Sequence, residues 1–266
     1  MEERALIKEN MINKTLAGLS AGQQANSALD RVRQLAQRDK EMQFTALLHH
    51  INPQSLKAAY WALNPKAAKG IDGVAWKDYG KDLDANIEDL HRRIHQGAYR
   101  PSPIRRTFIP KANGQMRPLG IITLEDKIAQ RATAEVMNAI YEQDFVGFSY
   151  AFRPERNQHM CLDALNVGIT RRAVNYVLSA DIVSFFDKVD HELLMEVLAR
   201  RIGDKRLLRL LNKWLKAGVM QDGELSKTQS EHHKEQRFHR CLQMCFCTTP
   251  WTYGCSGGEE TKQVAT

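Results

Sequence analysis

The chain has 266 residues, enough for one large or two modest domains with a hydrophobic core. Hydrophobic residues make up 43% of it, and it contains neither an apolar run of membrane-spanning length nor an apolar signal core at its start, so we expect a cytoplasmic protein. The net charge of +7 favours a polyanionic partner, which is nucleic acid or an acidic membrane surface.

Helix patterns dominate the first hundred residues. Apolar residues at helical spacing predict a helix between Asn26 and Ile51. The pair Asn52-Pro53 interrupts that pattern, and a second helix is predicted from Gln54 to Leu63. The stretch ALNPKAAKGIDGVAW follows and, taken alone, is typical of a glycine-rich loop between helices.

A β-hairpin is predicted from Ile104 to Ile122, IRRTFIPKANGQMRPLGII. Its Asn-Gly pair favours the positive φ angles of a two-residue turn between antiparallel strands. Lys111 and Arg117 stand on either side of this turn, so an ammonium and a guanidinium could reach one anion. The alternative is two exposed basic residues near a turn. Arg100 to Leu124 contains five basic residues and no acid.

The next helix is predicted to start at Thr123, an N-cap with Asp126 three residues later, and to end near Tyr141. Its apolar stripe consists of Ile128, Ala132, Val136 and Ile140. The stretch DFVGFSYAFRPERNQHMCLDAL then places arginines beside aromatic residues, a combination that suits base stacking and phosphate contact. An ordinary core aromatic with surface arginines explains it equally well.

A candidate metal site lies in VNYVLSADIVSFFDKVDHELL, residues 174–194. The apolar run from Val174 to Leu178 predicts a buried strand, and Asp181 follows it. A carboxylate at the end of a rigid strand can hold Mg²⁺, which prefers hard oxygen ligands. The alternative is that the acids only cap the strand and the helix after it, for which Asp190 is the predicted N-cap.

A last helix is predicted after Asp204, with a basic surface around an apolar face. The apolar face consists of Leu207, Leu208, Leu211, Trp214 and Leu215. Arg200 to Lys216 contains seven basic residues and one acid. Because two basic runs flank the candidate metal site, a nucleic-acid track is favoured over a merely solvated face. After Ser230 the hydrophobic periodicity ends, and four of the five cysteines follow, in a spacing that favours disorder over a zinc site.

Four of these stretches, in this order, resemble blocks of reverse transcriptases encoded by group II introns: the glycine-rich loop, the hairpin, the arginine–aromatic stretch and DIVSFFDKVDH. The resemblance covers about residues 40–229. It implies an α+β fold, the fingers and an incomplete palm of a right-hand polymerase. The implied boundaries are 1–103 for a helical extension and the start of the fingers, 104–172 for the fingers, 173–229 for a partial palm and 230–266 for an aberrant, disordered tail.

The resemblance also implies roles for individual residues. Asp181 would be catalytic and would bind Mg²⁺ together with the carbonyl of Ile182. Lys111 and Arg117 would hold the incoming triphosphate, and Phe186 would act as a steric gate against a ribose 2′-hydroxyl in a nucleotide site that includes Ser184 and Phe185. The residues expected to contact RNA are Arg105, Arg106, Arg153 and Arg156. The family has glycine where this chain has Ala151 and Glu155, so the loop there is expected to differ.

The resemblance stops after Gln229, where the family continues to a Tyr-x-Asp-Asp hairpin that supplies further metal carboxylates. These 266 residues contain no Asp-Asp pair. We therefore expect a truncated, polymerase-inactive reverse transcriptase whose incomplete palm sheet leaves apolar surface exposed. Expected partners are group II intron RNA and template RNA, with dNTP in the intact family and no membrane. The alternatives are a non-catalytic intron RNA-binding module and a nonfunctional relic.

Overall fold

The structure, a computed structural model, describes residues 27–110, 114, 116–151, 153–179, 190–217, 219–221 and 224–226. Within these ranges helices and a small sheet combine in an α+β fold, as predicted. The helices are α1 (residues 27–38), α2 (Pro53–Trp61), α3 (Trp76–Tyr79), α4 (Leu83–His95), α5 (Leu124–Tyr141), α6 (Gln158–Arg171), α7 (His191–Arg201) and α8 (Lys205–Leu215). The strands are β1 (Ile104–Pro110), β2 (Met116–Ile121), β3 (Val219–Gln221) and β4 (Glu224–Ser226). None of the helices in these ranges is long and apolar enough to cross a lipid bilayer.

Side-chain caps define where several helices begin. Before α2, the Asn52 carboxamide accepts from the Ser55 backbone N–H at 2.9 Å, and the Ser55 hydroxyl accepts from the Asn52 N–H at 3.0 Å. Pro53 occupies the first helical position, where its missing N–H is not needed. The hydroxyl of Thr123 caps α5, and the carboxylate of Asp190 caps α7. The caps predicted at Thr123 and Asp190 are therefore confirmed, whereas Asn52-Pro53 marks the start of α2 and not the end of a helix that continues from residue 26.

The first predicted helix is shorter in the structure. α1 ends before Asp39, and the chain continues without regular helix to a 3₁₀ turn at Leu48–His50. The Nη1 atom of Arg201 donates to the carbonyls of Asp39 and Met42 at 3.0 and 2.9 Å, and Phe44 forms an isolated parallel bridge just beyond α7. The prediction was wrong here because backbone groups of this segment bond to a distant part of the chain, which local periodicity does not report.

The strands form one sheet in the order β2-β1-β3-β4. β1 and β2 are the predicted antiparallel hairpin, with Arg105 opposite Ile121 at its base and Pro110 opposite Met116 near its turn. Gly114 in the turn has φ +78°, which glycine reaches without the penalty of a Cβ atom. β3 pairs in parallel with the start of β1, so the chain after α8 returns to the base of the hairpin.

α5 is the centre of the hydrophobic core. Of its 18 residues, 12 are buried, including the whole predicted stripe of Ile128, Ala132, Val136 and Ile140. One connected apolar cluster joins α5 to side chains of α1, α2, α4, α7 and α8. The predicted ranges 1–103, 104–172 and 173–229 therefore all contribute helices to a single core.

The strand predicted over the apolar run from Val174 to Leu178 is absent from the described residues. Residues 173–179 have no regular structure, and Tyr176 and Leu178 are 93% and 91% exposed. The preceding helix α6 has no buried residue, and its Leu162 is 59% exposed. A strand needs neighbours for its backbone and a second layer for its side chains, so β propensity alone does not bury it. Exposed apolar side chains therefore lie on α6 and along residues 173–179.

Candidate nucleic-acid interface

The β1–β2 hairpin carries basic residues predicted to meet RNA and a triphosphate. Arg105 is exposed and Arg106 is half-buried on β1. The ladder places the backbone of Arg117 opposite Ile109, next to the last pair before the turn. Lys111 and the side chain of Arg117 lie outside the described residues, so their approach to a shared anion stays a prediction.

The hairpin projects away from the core. Ile104 at its base is buried, whereas Phe108, Ile109 and Met116 near its turn are 44%, 45% and 55% exposed. Sequence reasoning missed these three side chains, because apolar residues in a strand are normally assigned to a core. Apolar side chains held in solvent on a projecting hairpin are typical of a surface that contacts a ligand.

The glycine-rich loop between α2 and α3 binds to the base of this hairpin. The Nη2 atom of Arg105 donates to the carbonyl of Lys69 at 2.8 Å. The Nζ atom of Lys127, in α5, donates to the carbonyl of Ala68 at 2.7 Å, and burial lowers the pKa of Lys127. Two basic side chains thus hold the loop in place through its backbone, and the side chain of Lys69 remains exposed beside Arg105.

Gly70 determines how closely the loop approaches α5. A Cβ atom added to Gly70 would lie 2.5 Å from the Cα and 2.7 Å from the backbone nitrogen of Thr123. A Cβ atom does not approach non-bonded atoms this closely, so only glycine permits this contact. The fold therefore brings the glycine-rich loop and the β1–β2 hairpin together, although the bonded residues Lys69 and Arg105 are 36 positions apart in the sequence.

A buried hydrogen-bond network supports the chain that leads into β1. The Asp126 carboxylate accepts from the Thr123 hydroxyl at 2.7 Å, from the Ser102 backbone N–H at 3.1 Å and from the Tyr99 hydroxyl. The Tyr99 hydroxyl in turn accepts from the indole N–H of Trp214 in α8 at 3.0 Å. Burial raises the pKa of Asp126 and raises that of Tyr99 well above its ordinary value. The sequence indicated Asp126 only as part of a helix cap; its links to α8 depend on tertiary structure.

Arg153, predicted to contact RNA, is directed into the protein. Its side chain is 6% exposed and donates to the Glu142 carboxylate at 2.6 to 3.2 Å. It also donates to the carbonyls of Val146 and Ser149 at 3.0 and 2.7 Å and lies 4.8 Å from the Phe145 ring centroid. With these contacts, the guanidinium has little capacity for an outside partner, and its effect is to fix the shape of this loop.

Arg156 is placed differently. Its guanidinium is half-buried and lies 5.6 Å from the ring centroid of Tyr150, a cation–π contact. Glu155 beside it has φ +57°, and among the described residues it is the only non-glycine with positive φ. The resemblance had indicated glycine at this position, and the backbone angle gives the physical reason, because a Cβ atom costs about 1–2 kcal/mol in the left-handed region.

The residues predicted for catalysis and metal binding, Asp181 and Ile182, lie outside the described residues. The same holds for Ser184, Phe185 and Phe186 and for the tail 230–266. Among the residues that the structure does describe, no group of three or more His, Cys, Asp or Glu side chains is arranged to hold a metal ion. The metal site therefore stays a prediction from the sequence.

Comparison with known proteins links this hairpin and the residues after it to one family. Residues 109–243 match the family described as "Reverse transcriptase (RNA-dependent DNA polymerase)". The chain is 40% identical over 172 residues to Protein YkfC of Escherichia coli (strain K12), covering 63% of this chain and 45% of that protein. It is 30% identical over 204 residues to the group II intron-encoded protein LtrA of Lactococcus lactis, covering 76% and 34%. It is 28% identical over 119 residues to nuclear intron maturase 2, mitochondrial, of Arabidopsis thaliana, covering 42% and 16%. The chain thus spans less than half the length of these curated relatives.

Proposed function

This chain belongs to the reverse transcriptase (RNA-dependent DNA polymerase) family, in its group II intron branch, and we propose that it works with intron RNA as part of an RNA-directed DNA polymerase and maturase. In this proposal residues 104–172 are the fingers and residues 173–229 begin the palm. The observation that carries it is the projecting β1–β2 hairpin, which lies within or next to the matched residues and has apolar and basic side chains in solvent.

The hairpin has two proposed tasks, one at each end. At the turn, Lys111 and Arg117 hold the triphosphate of an incoming dNTP as a point charge and a bidentate fork. At the base, Arg105 and Arg106 contact phosphates of template RNA. The bond from Arg105 to the glycine-rich loop supports this assignment, since it holds the exposed Lys69 at the same base.

The two arginines in the loop after α5, Arg153 and Arg156, have different proposed roles. Arg156, beside Tyr150, has a half-buried guanidinium and is proposed to contact the template strand. Arg153 acts as a positioning residue, because its bonds to Glu142 and to two carbonyls shape the loop that carries Arg156. RNA contact is therefore proposed for Arg156 and an indirect role for Arg153.

The family uses a divalent metal ion, typically Mg²⁺. The proposed ligands here, the Asp181 carboxylate and the Ile182 carbonyl, are hard oxygen donors of the right chemical type. Their number does not suit nucleotidyl transfer, which uses two metal ions that clamp the attacking and leaving oxygens. Because these 266 residues contain no Asp-Asp pair, we propose that the chain by itself binds RNA without extending a primer.

Primer extension tests the catalytic part of this proposal. The purified 266-residue protein is incubated with a primed RNA template, dNTPs and Mg²⁺, and we expect no product. Mg²⁺-dependent synthesis that disappears in an Asp181→Ala variant would show that the carboxylates present are sufficient and that the proposal is wrong. Absence of synthesis combined with preferential binding of group II intron RNA over unrelated RNA is the expected outcome, in which the chain alone acts as the second candidate, a non-catalytic intron RNA-binding module. Equal binding of intron RNA and unrelated RNA would identify it as a generic polycation instead.

Two double variants with the same change of charge test the division of the hairpin. Arg105→Ala with Arg106→Ala should weaken RNA binding and lower the salt dependence of log K by about 0.7 for each single-strand phosphate that the variant no longer neutralises. Lys111→Ala with Arg117→Ala removes the same charge from the same hairpin and should change RNA binding less. Circular dichroism confirms folding, since Arg105 also anchors the loop. Equal effects of the two variants on RNA affinity would contradict the division.

A further inference from the structure

The seven basic residues between Arg200 and Lys216 form one run in the sequence, but the structure separates them by what they contact. Arg201 is buried and donates to Asp144 at 3.0 Å. The Nζ atom of Lys213 donates to the carbonyls of Gly97 and Tyr99, both at 2.7 Å. These two cations are used inside the protein and are not available to a partner.

Three other cations of the run form an exposed stripe along α8 and its C-cap residue, Lys216. Lys205, Arg209 and Lys216 are exposed, and no ion pair or hydrogen bond of their side chains is found among the described residues. At 100° per residue they fall within about 40° of one another around the helix, and they extend over about 16 Å along it. We call Lys205, Arg209 and Lys216 the α8 stripe.

No acidic side chain on α8 neutralises the α8 stripe. Asp204, the one acid of the run, is 3% exposed, and its carboxylate accepts backbone N–H groups. Arg206 lies 3.8 Å from this carboxylate and remains exposed beside the stripe. Two basic residues, Lys205 and Arg206, occupy the first turn of α8, where the helix dipole disfavours positive charge. Helix stability therefore does not explain why the stripe is basic.

We propose that the α8 stripe binds the phosphate backbone of double-helical RNA. A membrane-binding helix needs exposed apolar residues beside its cations, whereas the apolar side chains of α8 pack on the core. Five of the six are buried, Leu207, Leu210, Leu211, Trp214 and Leu215, and the sixth, Leu208, is partly buried against the same core. Single-stranded RNA is held largely by stacking on aromatic rings, and the one aromatic residue of α8, Trp214, is 1% exposed. A rigid row of cations without rings matches a regular row of phosphates, which is read by charge and shape.

The position of the α8 stripe fits the rest of the molecule. Lys216 stands three residues before β3, and β3 pairs with β1 at Ile104 and Arg105. Three residues span at most about 11 Å, so the C-terminal end of the stripe lies near the base of the hairpin. The stripe deepens the proposed RNA binding, on which it rests, by adding a duplex contact that is separate from the nucleotide and template contacts of the hairpin.

The experiment compares two triple variants of the 266-residue protein that remove the same charge. The first is Lys205→Ala with Arg209→Ala and Lys216→Ala. The control is Arg33→Ala with Lys81→Ala and Arg92→Ala, three exposed or half-exposed cations that each pair with an aspartate on the same or a neighbouring helical turn. Binding to a short RNA duplex, to single-stranded RNA and to vesicles of anionic phospholipid is measured over a range of salt concentrations.

We expect the affinity of the stripe variant for the RNA duplex to fall roughly tenfold or more. The slope of log K against log salt concentration should fall by about 2, at 0.7–0.9 for each phosphate that is no longer neutralised. The control variant should bind like the unmodified protein. A charge-preserving variant, Lys205→Arg with Arg209→Lys and Lys216→Arg, should retain duplex binding and excludes a folding defect. Equal weakening in the stripe variant and the control would overturn the inference, since net charge alone would then decide binding. Weaker vesicle binding with unchanged duplex affinity would overturn it in favour of a membrane partner. The hairpin and primer-extension experiments leave the α8 stripe intact. A result that contradicts the proposed function in those experiments can therefore be told apart from a result that contradicts duplex binding by the stripe.

Discussion

The Asp204 carboxylate joins the start of α8 to the segment before α2, and its removal is the perturbation with the largest expected effect. One oxygen accepts from the backbone N–H groups of Arg206 and Leu207 at 3.0 and 3.4 Å. The other accepts from those of Leu47 and Leu48, both at 2.9 Å. Burial raises the pKa of Asp204, but these four donors outweigh burial and hold the pKa below its ordinary value.

The expected magnitude follows from the groups left without a partner. Asp204→Ala removes a helix cap, at about 1 kcal/mol, and leaves two N–H groups of the buried Leu47 and Leu48 unsatisfied, at about 1–3 kcal/mol each. We expect the free energy of unfolding to fall by about 4 kcal/mol. Asp204→Asn should cost about half as much, because one side of the amide still accepts while its NH₂ group faces two donors.

Asp190→Ala is the matched control. Asp190 also caps a helix, α7, through bonds to the N–H groups of Glu192 and Leu193, but it is exposed and bonds to no second segment among the residues that the structure describes. Its removal should cost only about 1 kcal/mol. Urea unfolding followed by far-UV circular dichroism measures all three variants, with an unchanged m value as the check that only stability has changed. An Asp204→Ala variant no less stable than Asp190→Ala would refute the reasoning.

The same contacts predict a pH dependence. A carboxylate whose folded-state pKa is depressed contributes stability above its unfolded pKa of about 4 and loses that contribution as pH falls through the folded value. The stability difference between the unmodified protein and Asp204→Ala should therefore be largest near neutral pH. It should shrink below about pH 4, and a difference that is constant down to about pH 2 would contradict the assignment.

Two further predictions concern glycine positions. Glu155→Gly should raise the free energy of unfolding by about 1 kcal/mol, because glycine adopts φ +57° without the steric cost of a Cβ atom. Glu155→Ala keeps a Cβ atom and should give no such gain. If thermal unfolding shows the same gain for both variants, the effect comes from the lost charge instead. Gly70→Ala should destabilise the protein by about 2 kcal/mol, since its Cβ atom would lie 2.5 Å from the backbone of Thr123. Gly147→Ala should be neutral, because no atom of the described residues lies within 4 Å of its added Cβ. A fully stable Gly70→Ala variant would show that the loop can move away from α5.

Much of this fold can be predicted from short stretches of sequence. The caps at Thr123 and Asp190 and the glycine of the hairpin turn depend on interactions within a few residues, so the sequence contains both partners side by side. The apolar stripe of α5 was predicted for a similar reason, because helical spacing is itself a local property. The family was predicted from ordered blocks and is confirmed by the matched residues 109–243.

Other features depend on where distant parts of the chain meet. Val174 to Leu178 has the composition of a buried strand, but burial requires neighbouring strands that the described residues do not place beside it. Arginines that are equivalent in sequence also differ in the fold: Arg201 bonds to carbonyls some 160 residues away, whereas Arg209 is exposed and has no such partner among the described residues.

The sequence by itself therefore determined the starts of α5, α7 and α8, the hairpin, the family and the excess of positive charge, since each depends on local order or on composition. Only the tertiary structure decided which cations remain exposed, because a guanidinium or an ammonium is unavailable to a partner when the fold buries it at least partly and directs its N–H groups to carboxylates or carbonyls. That is the case for Arg153 and Lys213, and within the described part of the chain it is not the case for Lys205 and Lys216.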